Sequence, residues 1–312
     1  MRWKILITDG LEENGQAILR QFADVDDRHG ITAEELLPVV HNYDALIVRS
    51  GTKVTPAVFA AAPGLKVVGR SGVGVDNIDL AAARQHQVTV VNAPIATTIA
   101  VAELTLGLML SMVRAIPRGD CGIKAGKWLK KELEGNELYQ KTLGVVGCGR
   151  IGTAVAQRAA AFGMTIIGYD AFKPAEEMRQ QGIEPVDLEQ LYRRADIITI
   201  HTPLTSDTRA MIGATEFARM KPGVRLVCTA RGNIIDEADL LAGLESGQVA
   251  SAALDVFSVE PPGQTALVSH PRIICTPHIG AQTIEAQQRA AGDIANEVLA
   301  ALRGELLRWK VA

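Results

Sequence analysis

The fold is decided by Leu143-Gly-Val-Val-Gly147-Cys-Gly149-Arg-Ile-Gly152. Three of its glycines have the GxGxxG spacing, directly after an apolar run typical of a β-strand and directly before an alanine-rich helix. The first glycine permits a tight turn, the second lets a pyrophosphate approach the backbone, and the third lets helix and strand pack closely. Because the free N–H groups of a helix N-terminus favour negative charge, the stretch predicts a dinucleotide-binding turn. A tight βα turn that binds no nucleotide is the alternative.

The next apolar run supports the dinucleotide interpretation. Met164-Thr-Ile-Ile-Gly-Tyr169 is followed by Asp170, which lies 18 residues beyond Gly152. An acid at this place accepts hydrogen bonds from the ribose 2′-hydroxyl and repels a 2′-phosphate. We therefore expect NAD, rather than NADP, as the cofactor.

The rest of the chain alternates short apolar runs with helix-like segments, which is typical of parallel sheets covered by helices. The pattern predicts two α/β units, the second with the wound topology of a dinucleotide fold. Strand candidates of the first unit are Lys4–Thr8, Ala45–Val48, Lys66–Gly69 and Val88–Val91. Those of the second are Leu143–Gly147, Thr165–Asp170, Asp196–His201, Arg225–Thr229, Ala252–Val256 and Ile273–Thr276.

Three segments carry helix signals. Thr32-Ala-Glu-Glu35 has the capping-box pattern of a helix start. The segment from Ala96 to Pro117 is too apolar all round to face water, so we expect a buried linking helix there. Thr283–Arg303 carries apolar residues at helical spacing, and periodicity alone leaves open which domain this last helix joins.

Length and composition exclude several classes of protein. A chain of 312 residues favours two domains, and 47% hydrophobic with 21% charged residues is typical of a soluble globular protein. The net charge of −3 gives no basic surplus for nucleic acid or for an anionic membrane, so we expect a small-molecule partner. Four scattered cysteines predict reduced, mostly buried thiols and no metal centre. No signal segment or membrane span is evident, which favours the cytoplasm.

Three polar side chains follow strand candidates of the second unit, where α/β sheets bind their ligands. They are Arg231, Glu260 and His278. Hydride transfer to a 2-oxo acid needs an acid to protonate the new alkoxide and a cation to polarise the carbonyl. A carboxylate beside an imidazole keeps the imidazole protonated. The set therefore predicts a hydride-transfer site, although each residue taken singly could be an ordinary surface charge.

Further motifs extend over almost the whole chain. They are Ile47-Val-Arg-Ser50 with Thr52-Lys53, Gly69-Arg-Ser-Gly-Val-Gly-Val-Asp-Asn77, Gly144–Gly152, Gly168-Tyr-Asp170, His201-Thr-Pro-Leu204, Ala230-Arg231-Gly232, Ala253-Leu-Asp-Val-Phe257, Glu260-Pro-Pro262 and Pro277-His-Ile-Gly-Ala281. Together they resemble the D-isomer-specific 2-hydroxyacid dehydrogenase family, and most closely its branch that acts on D-3-phosphoglycerate in serine biosynthesis.

The resemblance implies a role for each matching residue. Arg231, Glu260 and His278 match the catalytic set. Arg150 and Ile151 match the pair that faces the pyrophosphate. The implied cofactor residues are Gly147, Gly149, Arg150, Ile151, Gly152, Asp170, His201, Thr202, Pro203, Thr229, Ala230, Asp255, His278, Gly280 and Ala281, with Asp255 at the nicotinamide carboxamide. The implied substrate residues are Arg49, Ser50, Arg70, Ser71, Gly72, Val73, Arg231 and His278.

The resemblance also implies an architecture of two doubly wound parallel-sheet domains. A flavodoxin-like substrate domain comprises residues 1–96 and 285–312, and a Rossmann-type NAD domain comprises residues 97–284. The substrate is expected in the cleft between them, and a homodimer is expected through the NAD domain. No C-terminal regulatory domain of the kind that some relatives carry is expected from this sequence, and neither is serine feedback through such a domain.

Arg49 and Arg70 bear on the choice of substrate. In the phosphoglycerate branch, arginines at these motif positions are associated with the distal phosphate, and two guanidinium forks suit a dianion. The expected reaction is therefore oxidation of D-3-phosphoglycerate by NAD. Sulfolactate, hydroxypyruvate or glyoxylate are alternatives, because Ile95-Ala-Thr-Thr98 and Asn233 depart from the family pattern. The sequence also leaves open a non-catalytic NAD-sensing protein and a different NAD enzyme on a similar scaffold.

Overall fold

The computed structural model describes residues 2–312 and divides them into two compact units. Unit 1 consists of two segments, the residues up to Thr97 and Ala281–Ala312. Unit 2 is the single segment Thr98–Gly280. The strands are β1 (Trp3–Ile7), β2 (Ala23–Asp27), β3 (Ala45–Val48), β4 (Val67–Arg70), β5 (Thr89–Asn92), β6 (Thr142–Val146), β7 (Thr165–Tyr169), β8 (Glu184–Pro185), β9 (Ile197–Ile200), β10 (Val224–Cys228), β11 (Val249–Leu254) and β12 (Ile273–Cys275). The helices are α1 (Glu13–Arg20), α2 (Ala33–Leu36), α3 (Pro56–Ala61), α4 (Leu80–Gln85), α5 (Thr98–Arg114), α6 (Ile116–Lys124), α7 (Arg150–Ala161), α8 (Ala175–Gln180), α9 (Leu188–Arg194), α10 (Ala214–Phe217), α11 (Glu237–Ser246) and α12 (Ile284–Arg303).

Unit 1 contains a five-stranded parallel sheet in the order β2-β1-β3-β4-β5. This is the flavodoxin-like order, so the predicted fold of this half is confirmed. Strand β2 was absent from the sequence prediction. It reads Ala-Asp-Val-Asp-Asp, and an edge strand rich in charge is a common protection against edge-to-edge pairing.

Helix α12 covers one face of the unit 1 sheet. Ile294 and Val298 are fully buried in a cluster that also contains Ile5, Ile7 and Ile47 of the strands. Thr283 caps the helix, because its side chain accepts a hydrogen bond from the backbone N–H of Ala286. The apolar spacing of α12 did not decide which domain this helix joins. Its packing places it in unit 1.

Gly69 lies where α12 approaches β4 most tightly. A Cβ atom added there would lie 2.5 Å from Val298 Cγ2 and 3.1 Å from Ile294 Cγ1. We expect Gly69→Ala to cost about 1–3 kcal/mol through overpacking and to lower the thermal unfolding midpoint. Gly64→Ala is the matched control, because a Cβ at Gly64 meets nothing within 4 Å. Additive effects of Gly69→Ala and Val298→Ala would contradict the contact as its cause.

Unit 2 contains a seven-stranded parallel sheet in the order β12-β11-β10-β9-β6-β7-β8. Counted from the first strand of this unit, the order is 3-2-1-4-5-6-7, which extends the dinucleotide-binding pattern by one strand. The predicted fold class of two doubly wound parallel sheets is thus confirmed. The order reverses between β6 and β9, so the loops after these strands flank the switch point where such folds bind their ligands.

The predicted linking helix is two helices. Helix α5 ends at Arg114, Ala115 adopts a left-handed conformation with φ of 49°, and α6 begins at Ile116. Pro117 explains the break, because proline lacks a backbone N–H and is tolerated only in the first turn of a helix. In residues 2–312, no single helix is long and apolar enough to span a membrane; α5 and α6 meet the length and composition criteria only as a pair bent by 65°.

All four cysteines have free thiols, as the sequence predicts. Cys148 and Cys228 are buried, Cys275 is half-buried, and Cys121 is exposed. Burial raises the pKa of the Cys148 thiol to about 12 and that of Cys228 to about 11. These two side chains therefore act as small apolar groups in the core. Residues 2–312 contain no group of three or more His, Cys, Asp or Glu side chains arranged to hold a metal ion.

Candidate active site

The glycine-rich turn joins β6 to α7. Gly147 has a positive φ of 88°, which a glycine adopts without the steric cost that other residues pay. A Cβ at Gly152 would lie 2.0 Å from the Gly147 carbonyl oxygen, so the third glycine allows the helix to contact the turn. Gly149 differs from both, because a Cβ there would meet nothing within 4 Å. The turn is thus tightly packed at its ends and open at its middle glycine.

Two observations indicate that this open turn fits a dinucleotide. The space beside Gly149 is where the pyrophosphate approaches the backbone in this class of turn. Thr202, in the loop after β9, has a buried hydroxyl oxygen with no hydrogen-bond partner in residues 2–312, and its Cγ2 would lie 3.0 Å from a Cβ at Gly147. An unpaired buried hydroxyl beside an open turn is what a polar ligand would satisfy.

Asp170 lies directly after β7 and next to the turn. Its Oδ2 accepts a hydrogen bond of 2.8 Å from the Cys148 N–H, and its Oδ1 accepts one of 2.9 Å from the Phe172 N–H. These bonds orient the carboxylate, whose remaining lone pairs can accept hydrogen bonds from a ribose. Its predicted role as the ribose acid is consistent with this position and stays a prediction.

A pair of glycine variants separates packing from binding. We expect Gly149→Ala to leave the thermal midpoint unchanged and to weaken NADH binding about tenfold, because the methyl group enters the space of the pyrophosphate. Gly152→Ala should lower both the midpoint and the affinity, since its Cβ meets backbone. Equal NADH affinity of Gly149→Ala and the unmodified protein, measured by fluorescence titration, would refute the binding role of this turn.

His278 and Glu260 contact each other in unit 2. His278 Nδ1 lies 2.8 Å from Glu260 Oε2, and Glu260 Oε1 accepts a hydrogen bond of 3.0 Å from the Phe257 N–H. The carboxylate is therefore held by its own loop and in turn orients the imidazole. Because Nδ1 is occupied, Nε2 is the nitrogen left to exchange a proton with a substrate.

Arg231 follows β10 on a neighbouring loop. A Cβ at Gly232 would lie 1.8 Å from the Phe257 carbonyl oxygen, so the loop after Arg231 packs against the loop that leads to Glu260. Arg231 Nη1 donates a hydrogen bond of 2.7 Å to the Ala230 carbonyl oxygen. The predicted cation, carboxylate and imidazole thus lie on adjacent loops at one edge of the unit 2 sheet, and catalysis by them stays a prediction.

Asp255 holds the loop that carries His278. Its carboxylate is fully buried and accepts hydrogen bonds from Thr276 Oγ1 at 2.6 Å and from the N–H groups of Ile279 and Gly280 at 2.8 Å each. His278 itself has a positive φ of 52°, which is uncommon for a residue other than glycine. The buried Asp255 carboxylate therefore stabilises the conformation of the loop that carries His278. The implied contact of Asp255 with a carboxamide stays a prediction.

Asn233, one of the departures from the family pattern, has a φ of 62°. Asparagine visits this left-handed region more readily than most residues do. Its side-chain amide also reaches the Ser258 carbonyl oxygen at 3.4 Å. Asn233 thus adopts a backbone conformation that a glycine would favour.

The other predicted cofactor residues lie at the same edge of unit 2, except Ala281, which belongs to unit 1. Burial lowers the pKa of His201 to about 3, so its ring is neutral at ordinary pH; its Nε2 lies 2.8 Å from Thr199 Oγ1. Thr229 Oγ1 contacts Thr105 Oγ1 at 3.0 Å inside the core. Arg150 and Ile151 begin α7, Pro203 and Ala230 lie in the loops after β9 and β10, and Gly280 ends the loop of His278.

The predicted substrate residues lie at the carboxyl edge of the unit 1 sheet. Val48 pairs with Arg70 across β3 and β4, so Arg49 and Ser71 emerge from neighbouring strands. A Cβ at Gly72 would lie 1.5 Å from Arg70 Nη1, which shows that the guanidinium lies over this loop. Ser50 is exposed, and Val73 is held by a hydrogen bond from the Asn92 side-chain amide to its carbonyl oxygen.

Sequence reasoning missed the partners of Arg49. Its Nη1 lies 3.6 Å from Glu12 Oε1, and its Nη2 donates a hydrogen bond of 3.3 Å to Gln282 Oε1. Neither partner belongs to a motif, and Gln282 is more than two hundred residues away along the chain. Ser71 Oγ is buried with no hydrogen-bond partner in residues 2–312, so this loop also offers a donor for a ligand.

Residues 106–280, within unit 2, match the model of the D-isomer specific 2-hydroxyacid dehydrogenase, NAD binding domain. This segment is more than half of the chain. The chain belongs to the D-isomer-specific 2-hydroxyacid dehydrogenase family. The matched segment is an NAD-binding domain, as the glycine turn and Asp170 predict.

Known proteins agree with this membership in the family. A D-3-phosphoglycerate dehydrogenase of Methanocaldococcus jannaschii is 50% identical over 304 residues, which are 97% of this chain and 58% of that protein. A glyoxylate reductase from Paecilomyes thermophila is 32% identical with a TM-score of 0.91, covering 99% of this chain and 98% of the other. A D-lactate dehydrogenase of Aquifex aeolicus complexed with NAD and lactic acid is 28% identical with a TM-score of 0.85, covering 96% of each chain.

The chain spans between 49% and 58% of the length of the curated relatives that it matches. The relatives named above act on different 2-hydroxy or 2-oxo acids, so the family alone does not choose the substrate.

Proposed function

We propose that the protein oxidises D-3-phosphoglycerate at C2, with NAD as the hydride acceptor. The observation that carries the proposal is the contact of 2.8 Å between His278 Nδ1 and Glu260 Oε2, on a loop adjacent to that of Arg231, in a chain of this family. The choice of acid is supported by the archaeal relative, which is 50% identical over 97% of this chain.

His278 is the proton acceptor in the proposed reaction. NAD, held at the glycine turn beside Asp170, would supply the hydride acceptor for C2. The C2 hydroxyl proton passes to His278 Nε2, so the C–O bond becomes a carbonyl and the product is a 2-oxo acid. The Glu260 carboxylate, 2.8 Å from Nδ1, orients the imidazole for this transfer. In the reverse direction, the protonated imidazole supplies the proton.

Arg231 provides a positive charge in unit 2. A guanidinium donates two parallel hydrogen bonds to a carboxylate and also polarises a neighbouring carbonyl. The loop after Arg231 packs against the backbone of Phe257, so this contact supports the backbone next to the arginine. Such support limits the reorganisation needed when charge develops on the substrate oxygen.

Unit 1 carries two arginines at the carboxyl edge of its own sheet. Arg70 lies over the Ser71–Gly72 loop, and Arg49 emerges from the neighbouring strand. Glu12 partly compensates the charge of Arg49. The similarity to the archaeal relative therefore supports a phosphorylated acid more strongly than the two arginines do. We propose that Arg70 and Arg49 meet the distal phosphate, and that Ser71, Gly72 and Val73 receive the carboxylate.

A substrate ranking tests the choice of acid. NADH formation is measured with D-3-phosphoglycerate, sulfolactate, D-glycerate and D-lactate, and we expect the highest kcat/KM with phosphoglycerate. Arg70→Gln should raise KM for phosphoglycerate and leave that for D-glycerate nearly unchanged. Equal kcat/KM for the dianionic and monoanionic acids would remove the phosphate role of both arginines.

The alternative of a non-catalytic NAD-sensing protein predicts a different outcome. Such a protein would bind NADH and reduce no 2-oxo acid, and His278→Ala would leave its assembly unchanged. The contact between His278 and Glu260 favours the enzyme, since a sensor needs no oriented proton acceptor.

We also propose a homodimer formed through unit 2. Several large apolar side chains are exposed on α6 and the segment after it, including Ile116, Ile123 and Trp128 at 52%, 59% and 80% exposure. Several large apolar side chains exposed along one short segment are a feature that favours an interface. Light scattering should give twice the chain mass, and Ile123→Glu should give monomers; a monomeric unmodified protein would contradict the proposal. Cytoplasmic localisation stays a prediction from the sequence.

A further inference from the structure

A polar cavity of about 190 Å³ opens in unit 2 where β6, β9 and β10 begin. The glycine turn, Thr202 and Arg231 all follow the opposite ends of these strands. A strand of five residues, such as β6, is about 16 Å long, so the cavity is separate from the cofactor edge. Its polar lining side chains are Asn136, Lys141, Asp196, Lys221 and Arg225.

The cavity has an excess of positive charge. Lys141, Lys221 and Arg225 line it, and Asp196 is its single carboxylate. Asp196 is already occupied: its Oδ1 lies 2.8 Å from Lys221 Nζ, and its Oδ2 accepts a hydrogen bond of 2.8 Å from the Thr142 N–H. The lining therefore holds two more cations than carboxylates, although Asp196 also attracts Lys141 and Arg225 at longer range.

Arg225 is the more informative of these two cations. Its side chain is half-buried and donates a hydrogen bond to Asn136 Oδ1. No carboxylate in the described part of the chain lies within salt-bridge distance of its guanidinium. Burial lowers the pKa of Arg225, which reports that its charge is partly removed from water. A desolvated arginine whose named partner is one neutral amide retains donors for an anion.

We propose that this cavity binds a small oxyanion, of the class of inorganic phosphate or a short phosphate monoester, between Lys141 and Arg225. The guanidinium offers parallel N–H donors that match two oxygens of a phosphate, and the lysine adds a point charge. The volume lies below the roughly 300 Å³ at which sites for larger ligands begin, so the anion is small. This inference does not rest on the proposed function, because the cavity contains none of the residues assigned to catalysis.

Calorimetric titration with inorganic phosphate tests the proposal. The protein carries Arg49→Gln and Arg70→Gln, which removes the proposed site for the distal phosphate of the substrate. It is also saturated with NADH, which occupies the pyrophosphate position at the glycine turn. We expect one phosphate per chain. Adding Arg225→Gln, which keeps an amide that can bond to Asn136, should weaken binding at least tenfold, and Lys141→Gln should act in the same direction. Lys130→Gln is the matched control, since Lys130 is exposed and outside the cavity.

The outcomes separate cleanly. Binding that is lost with Arg225→Gln or Lys141→Gln and kept with Lys130→Gln supports the site. No measurable binding of phosphate at millimolar concentration, or equal affinity in all variants, overturns it. If Arg225→Gln lowers the unfolding midpoint without ligand, Lys141→Gln alone decides, because that side chain is not engaged in the Asn136 contact. NADH formation by the chain with both arginines intact tests the proposed function separately.

Discussion

Replacing His278 with alanine is expected to lower kcat for oxidation of the 2-hydroxy acid by about 10²–10⁴-fold, the usual contribution of a positioned acid or base. The physical reason is that Nε2 is the proton acceptor and no other imidazole is paired with a carboxylate in this part of unit 2. The measurement is the initial rate of NADH formation. NADH affinity should change little, because the glycine turn and Asp170 are unaltered.

Glu260→Gln is the matched companion of His278→Ala. The amide oxygen can still accept the Phe257 N–H, but the negative charge beside the imidazole is lost. Both side chains are partly exposed, at 45% and 39%, so solvent screens the pair and we expect a loss of only about tenfold. A rate for His278→Ala within tenfold of the unmodified protein would contradict the assignment of His278 as proton acceptor.

The second large effect is expected from Asp255→Ala. The substitution removes the acceptor of three hydrogen bonds and leaves the part-buried Ile279 N–H and the buried Gly280 N–H without this acceptor. Each unsatisfied buried donor costs about 1–3 kcal/mol, so the thermal midpoint should fall by several degrees. Since the His278 backbone has a positive φ that the buried carboxylate stabilises, kcat should fall as well.

A control for Asp255→Ala comes from its third partner. Thr276→Val removes only the hydroxyl that donates to Asp255 Oδ1 and leaves both backbone donors paired. We expect a smaller fall in midpoint and a nearly unchanged kcat. Unaltered midpoint and kcat in Asp255→Ala would mean that the His278 loop is held by other contacts.

The fold was predictable where the sequence carries apolar runs. The strands around the glycine turn are found within one or two residues of their predicted bounds, because buried parallel strands read as continuous apolar segments. Strand β2 escaped because its side chains are mostly aspartates at a sheet edge. Strand β8 has only two residues, Glu184–Pro185, which no pattern can distinguish from a loop.

The candidate site was predictable in its reactive groups and not in their support. Arg231, Glu260 and His278 each follow a strand, and parallel strands bring their carboxyl ends to one edge. The Asp255 carboxylate accepts hydrogen bonds from two backbone N–H groups that lie more than twenty residues away in the sequence. Every residue except proline has such a donor, so the identity of the side chains does not predict these bonds. The same holds for Glu12 beside Arg49, which depends on where α1 begins.

Helix α12 has a consequence for the order in which the chain matures. Unit 2 is one continuous stretch, so all of its residues are synthesised before α12. Unit 1 exposes the Ile5, Ile7 and Ile47 face of its sheet until Ile294 and Val298 arrive. During translation the first hundred residues therefore expose an apolar sheet face, and we expect chaperones to bind them at this stage.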